Sequence, residues 1–254
     1  MKNLIIPKVS FDVLPFENVV NTLSWTVVDN GKSLSLSEET YKIYPELHQQ
    51  ITSEMDQNTR WKIIYNLIKE RYNSSLEKVQ FEKDRYQKIW SRYNTEFMKE
   101  LSSFLEIDWP NDCKNIYALI DLIPVCPRYV KERTFFMPLD STNDDIIDII
   151  AHECCHFLYF EKWKTLFPDW TWEQFNKPDL VWYLSEMVVD PILNSQSFAS
   201  IFNHKFQAYP SFYDIKVGDQ YLMNSIKKIF EENNIENAIT ESYKYILKNK
   251  DRIL

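Results

Sequence analysis

Glycine is almost missing from this chain, with 2 residues in 254. Its scarcity disfavours phosphate-cradling loops, where backbone N–H groups must approach a ligand closely, and turn-rich all-β folds. Histidine and cysteine are also sparse, at 4 residues each. Four cysteines are too few for a disulfide scaffold in a chain of this length, and Cys113 and Cys126 lack the C-x-x-C spacing of a redox pair or a structural zinc site. No apolar run approaches the length of a membrane span, and the opening Met1-Lys2-Asn3-Leu4-Ile5-Ile6-Pro7-Lys8 is too briefly apolar for a signal peptide. The expectation is a cytoplasmic protein without a membrane partner. Acidic residues outnumber basic ones, 37 to 29, and the net charge of −8 argues against nucleic acid as a partner. No internal repeat or low-complexity segment is evident.

What the chain does have is apolar content with a helical period. Hydrophobic residues make up 44% of it, enough to bury a sizeable core without stapling. An early hairpin is expected at Asn30-Gly31, with a strand over 24–28, and residues 37–105 are then almost wholly helix-compatible. Ser74 with Glu77 reads as a capping box dividing that region into at least two helices, the second running to Trp109-Pro110. Tyr86, Trp90, Tyr93 and Phe97 follow the i, i+4, i+7, i+11 spacing of one helix face, a core stripe. Residues 116–123 and 133–137 read as strands closed by Pro124 and Pro138, and 221–254 as two helices parted near Asn233-Asn234. The expected fold is a mostly helical α+β protein, with a hairpin and helical lobe over 1–110 and a second region over 111–254.

That second region carries the chemistry. His152-Glu153-Cys154-Cys155-His156 has the H-E-x-x-H order of a catalytic zinc site. On an α-helix residues four apart share a face, so His152 and His156 can turn ring nitrogens to one metal ion while Glu153 sits beside them. The helix is apolar on nearly every side, through Ile146, Ile147, Ile149, Ile150, Ala151, Phe157, Leu158 and Phe160, and a helix of that kind is buried. Histidines and a glutamate inside it need polar partners, which a metal would supply. The start is legible as well: Ser141 or Thr142 can serve as N-cap, with acidic residues in the first turn, so the helix is expected from about Asn143 to Lys164, before Phe167-Pro168. Cys154 and Cys155 read as small apolar fillers, although a thiolate ligand is conceivable.

A catalytic zinc ion usually has three protein ligands and a water. The stretch after His156 lacks the glycine and third histidine of H-E-x-x-H-x-x-G-x-x-H, and the next histidine is His204, which excludes the metzincin pattern. Among carboxylates Glu186 stands out, alone in the apolar helical run 181–189, where burial demands a partner.

With Glu186 following His156 by 30 residues, the chain over about 132–195 resembles the gluzincins, zincin peptidases that add a glutamate from a second helix to H-E-x-x-H. The resemblance implies a zincin-like catalytic core holding one zinc ion on His152, His156 and Glu186. It implies hydrolysis of a peptide or protein substrate, with Glu153 as general base. It also implies that Asp190, four residues after the ligand glutamate, hydrogen-bonds a zinc-bound histidine, although Pro191 after it departs from a simple helical pattern. An oxyanion-steadying His or Tyr would come from His204, Tyr209, Tyr213 or Tyr221, with Tyr209 and His204 favoured because Pro210 suggests a loop there. The strand over 133–137 is a candidate for a sheet edge beside the motif helix, where substrate backbone could add as a strand; the alternative, equally open, is that it and 116–123 are ordinary core strands. Two other readings stay open: a regulatory protease specific for one partner protein, and a non-catalytic zinc-binding interaction protein.

Overall fold

The computed structural model describes residues 5–28 and 36–254. The elements in order are strand β1 (Lys8–Val13), helices α1 (Phe16–Thr26), α2 (Leu36–Ile43), α3 (Pro45–His48), α4 (Gln57–Trp90) and α5 (Asn94–Phe104), strands β2 (Asn115–Asp121), β3 (Arg128–Tyr129) and β4 (Thr134–Pro138), and helices α6 (Asn143–Leu166) and α7 (Leu180–Leu193). There follow α8 (Pro210–Asp214), the short strands β5 (Lys216–Val217) and β6 (Gln220–Tyr221), α9 (Leu222–Glu232), α10 (Ile235–Lys248) and α11 (Lys250–Ile253). The protein is therefore mostly helical with a small mixed sheet. Among the described residues no helix is long and apolar enough to cross a membrane.

The chain forms two compact units, each discontinuous in sequence. The first takes residues up to Lys8, Ser91–Lys114 and Ile147–Leu254; the second takes Val9–Trp90 and Asn115–Ile146. The boundary expected at 110/111 falls inside Ser91–Lys114 of the first unit.

The sheet, which apart from Lys8 belongs to the second unit, has the order β1-β2-β4-β3. β2 and β4 are parallel, in a register running from Tyr117 opposite Thr134 to Asp121 opposite Pro138, and β3 is antiparallel to β4. Along β2 the buried Ile116, Ala118 and Ile120 alternate with less buried positions, as the two-residue period of a strand requires. In β4 the successive Phe135, Phe136 and Met137 are all buried, the mark of a strand covered on both faces. β4 thus lies inside the sheet as a core strand, the second of the two readings of 133–137, and not at its edge, because β3 pairs along Thr134 and Phe135. Phe136 joins a core of Leu14, Val19, Val20, Leu23, Leu47, Ile64 and Ile68.

Several expectations for the early chain are corrected. Residues 24–26 are the last turn of α1, not a strand: Val19, Val20, Leu23 and Val27 form a helical stripe buried in that core, and packing outweighs the strand preference of Thr26 and Val27. The Asn30-Gly31 hairpin lies outside the described residues. Ser74 does not start a helix but sits inside α4, a 34-residue helix, where its hydroxyl donates to the Arg71 carbonyl. The next helix, α5, ends at Phe104 and not at Trp109, because Glu106 takes a left-handed conformation (φ 51°). The Tyr86–Phe97 stripe is accordingly divided: Tyr86 and Trp90 are buried on α4, whereas Phe97 is buried on α5 after a turn at 91–93.

α6 begins in the second unit, and its start is strongly fixed there. Thr142 is the cap: its N–H and hydroxyl donate to Asp145 Oδ2 at 2.9 and 2.7 Å, and the Asp145 N–H donates back to Thr142 Oγ1 at 3.2 Å. Arg85 donates to the Ser141 carbonyl and to Asn143 Oδ1, and the Tyr86 hydroxyl accepts from the Ser141 N–H at 2.9 Å while donating to the Pro138 carbonyl. The helix then continues into the first unit, where α7, α9 and α10 pack together.

Candidate metal centre

Within the first unit, α6 and α7 bring three of the expected ligands together. His152 and His156 stand one turn apart on α6, ring centroids 4.5 Å from each other. Glu186 comes from α7, whose first turn is capped by Asp179 accepting from the Val181 N–H at 2.8 Å. The same carboxylate oxygen, Glu186 Oε2, lies 3.0 Å from His152 Nε2 and 3.3 Å from His156 Nε2. One ligand atom from each residue falls within 4.8 Å of the others, so the three could hold a metal ion. In a tetrahedral zinc site with bonds of about 2.0–2.1 Å, ligand atoms sit roughly 3.3 Å apart. The two contacts to Glu186 match that spacing, and imidazole nitrogen with carboxylate oxygen is a zinc-type donor set.

The surroundings make the cluster one-sided. Glu186 is 2% exposed and His156 is buried, while the His152 side chain keeps 19% of its surface. Phe160 lies nearly parallel to the His156 ring, 17° and 6.0 Å between centroids, fixing that imidazole from the core side. Along α6 from 147 to 160 only Asp148, Ile149 and His152 escape full burial, and along α7 from 181 to 190 only Trp182 and Tyr183 do. The accessible positions nearest the ligands are therefore one turn before His152 on one helix and one turn before Glu186 on the other.

Glu153 follows His152 on α6 and is buried. Cys154 and Cys155 are buried and, like Cys113 and Cys126, not in disulfides. Burial, and then the neighbouring Cys113 and Glu153, push the Cys154 thiol well above its ordinary range.

Asp190 is the expected site residue that the structure assigns elsewhere. Its Oδ2 accepts from the Tyr213 hydroxyl and pairs with Lys227 Nζ at 2.7 Å, and Asn194 Nδ2 donates to Oδ1 at 2.8 Å. The carboxylate thus links α7 to α8 and α9 and makes no bond to His152 or His156. Pro191 does not end the helix: α7 runs to Leu193, and the Asn194 N–H donates to the Asp190 carbonyl at 3.0 Å. Burial, followed by the bond to Asp190, raises the Tyr213 hydroxyl well above the ordinary tyrosine value, and the same oxygen accepts from the Ala208 N–H at 3.1 Å.

The two residues favoured for the oxyanion role flank the cluster. His204 Nε2 lies 3.2 Å from Oδ1 of Asp148, one turn before His152. The Tyr209 ring packs on Trp182, one turn before Glu186, at 6.3 Å between centroids. Tyr221 is 43% exposed beneath the Lys216 ammonium. Sequence reasoning did not single out the buried Lys162, which pairs with Glu236 Oε1 at 2.9 Å.

Comparison of the chain with protein-family models, with curated proteins and with solved structures found no match. What the site can do is therefore argued from its own geometry.

Proposed function

We propose that this protein is a zinc-dependent peptidase of gluzincin type, in which His152, His156 and Glu186 hold one zinc ion and Glu153 is the general base. The observation that carries the reading is the convergence of two imidazole nitrogens and a carboxylate oxygen within 4.8 Å, from two helices, with a glutamate next to one ligand. Zinc held there supplies Lewis acidity, acidifying water and polarising a scissile carbonyl. Glu153 takes the proton of the attacking water and returns it to the leaving amine. His156 and Glu186 are the fixed, buried side of the cradle, and His152 is the side that substrate reaches.

Two features favour catalysis over a structural metal. A structural zinc site closes with four protein ligands, whereas the cluster found among the described residues has three, leaving a coordination position for chemistry. A structural site also has no use for a carboxylate base beside its ligands.

Elemental analysis of wild type, Glu186→Ala and Glu153→Gln, with peptide-library cleavage on the same samples, tests the reading. Wild type should carry about one zinc per chain and lose cleavage on chelation. Glu186→Ala should lose the metal. Glu153→Gln should keep it and lose roughly 10²- to 10⁴-fold in rate. A wild-type protein that binds no zinc after reconstitution refutes the proposal.

A further inference from the structure

Beyond the end of α7 the chain turns back and encloses a groove of about 540 Å³, walled by residues 193–195 on one side and 199–205 on the other. That volume falls in the range of clefts that take small ligands and side chains, roughly 300–1,000 Å³. The outer wall is pinned to both helices that carry the metal ligands. Asn194, the C-cap of α7, donates from Nδ2 to the Phe206 carbonyl at 2.8 Å, and its Oδ1 accepts from the Phe206 N–H at 3.0 Å. His204 Nε2 lies 3.2 Å from Asp148 Oδ1 on α6, one turn before His152. Between these pins burial alternates: Phe202 and Phe206 are buried and His204 half-buried, whereas Asn203 and Lys205 are exposed. The wall is therefore held in place, and it meets α6 one turn from His152, the ligand that keeps exposed surface.

The polar groups that line the groove divide into engaged and unengaged. Asn194 gives its amide to Asp190 and Phe206, Ser195 Oγ meets Ser197 Oγ at 3.1 Å, and His204 is held by Asp148. Among the described residues Lys205 forms no ion pair and the Asn203 side chain no hydrogen bond. No carboxylate lines the groove, in a chain whose acidic residues outnumber its basic ones. A second groove of the same unit, at the end of α5, has Glu106 and Asp108 beside Lys99 and so offers no uncompensated ammonium. An ammonium and an amide over the buried Leu193 and Phe202 complement a carboxylate on a short apolar stem, the side chain of glutamate. Position follows from helix geometry. Leu193 comes seven residues after Glu186, about 10 Å along α7 at roughly 1.5 Å per residue. An extended peptide advances about 3.3 Å per residue, so a residue at the groove stands about three positions from one held at the ligands.

We infer that this groove is a subsite for a glutamate side chain about three residues from the scissile bond, with Lys205 pairing with its carboxylate and Asn203 donating a hydrogen bond to it. The inference deepens the peptidase reading and rests on it for a peptide held at the metal. It makes the substrate class an acidic peptide. Lys205 is a specificity residue: it touches no reacting atom and acts on how tightly one peptide binds relative to another.

Peptide hydroxamates test it, because the hydroxamate chelates zinc and fixes the register of the chain behind it. Fluorescein-labelled Gly/Ser octapeptides with the hydroxamate at the N-terminal or the C-terminal end, and one Glu, Gln or Lys placed two, three or four residues from it, are titrated into zinc-loaded protein. In one of the two series Glu at the third residue should bind about fivefold tighter than Gln, and Lys more weakly than Gln. The Glu preference should shrink with added salt, disappear in Lys205→Met and persist in Lys205→Arg. Lys205 is exposed, so neither variant should disturb the fold. Lys99→Met, in the other groove, should leave the preference unchanged. Equal binding of Glu and Gln peptides at every position, or a Glu preference untouched by Lys205→Met, overturns the inference and leaves the peptidase reading standing. Failure of every hydroxamate to bind, whatever residue it carries, overturns the peptidase reading and the inference with it.

Discussion

Asp121 should give this protein a stability that declines as pH rises through the weakly acidic range. The residue closes β2 at the end of its parallel pairing with β4 and is 1% exposed. Its Oδ1 accepts from the Leu122 N–H at 2.6 Å; among the described residues its Oδ2 has no hydrogen-bond partner. Burial pushes the carboxyl from an ordinary 3.8 up to about 6, with the Leu122 N–H bond pulling weakly the other way. Below pH 3.8 the group is protonated in both folded and unfolded chains and costs nothing; above about 6 the folded state must hold an ionised carboxylate that the unfolded state ionises freely. A shift of roughly two units at about 1.36 kcal/mol per unit makes that cost about 3 kcal/mol, acquired across the interval between the two values. Other carboxylates titrate in the same range, so the informative quantity is the difference between Asp121→Asn and wild type. Asparagine keeps the Leu122 bond and leaves an amide where Oδ2 stood, a constant offset; on top of it the mutant should gain about 3 kcal/mol relative to wild type between pH 4 and pH 8. Hydrogen exchange of β2 and β4 peptides reads the stability of the sheet that holds Asp121 directly and is the appropriate readout, supported by a ¹³C carboxyl titration of Asp121. A difference that stays flat with pH, or a carboxyl that titrates near 4, refutes the reasoning.

Removing the Tyr213 hydroxyl with Tyr213→Phe should cost about 1–2 kcal/mol in urea unfolding, since Asp190 keeps Lys227 and Asn194. It should leave zinc content unchanged; loss of metal in this variant would show that Asp190 acts on the ligands after all. Glu236→Gln should cost under about 1 kcal/mol, because Glu236 is 57% exposed and its carboxylate is screened by solvent. Lys162→Ala should cost more, about 2 kcal/mol, through the lost packing of its buried stem; equal losses in the two variants would mean that the ion pair, not the stem, holds α10 to α6.

How far the sequence could be read differs by element, and the reason is the range of the interactions involved. α6 was legible almost to the residue because its signals are local: the Thr142–Asp145 box at the start, an apolar run, and Phe167-Pro168 past the end. β2, β4 and the break between α9 and α10 at Asn233-Asn234 are local in the same way, and Asn234 caps α10 by accepting from the Asn237 N–H. The misreadings arise where a distant partner decides. Ser24 to Thr26 have no local reason to be helical; the stripe of Val19, Val20, Leu23 and Val27 acquires its meaning from Ile64 and Ile68 on α4. Ser74 and Glu77 satisfy a capping pattern, yet inside a continuous helix the serine hydroxyl simply returns to the carbonyl three residues back.

The candidate site divides along the same line. His152, His156 and Glu186 could be picked out because each is a polar residue in an apolar helical run, and the cost of burying it unpartnered is a local argument. Asp190 met that criterion equally well, being buried in the same run, and the argument correctly demanded a partner for it. It did not say which. The partners proved to be Tyr213 and Lys227, 23 and 37 residues downstream, on helices that only the assembled first unit brings to α7. Burial of a lone carboxylate thus establishes that something must neutralise it, while the choice between a metal and an ammonium belongs to tertiary structure. On that logic Glu186 is the stronger metal candidate for a reason the sequence did not contain. Its Oε2 lies 3.0 and 3.3 Å from the two imidazole nitrogens, and imidazoles can share a divalent cation with a carboxylate where an ammonium would exclude one.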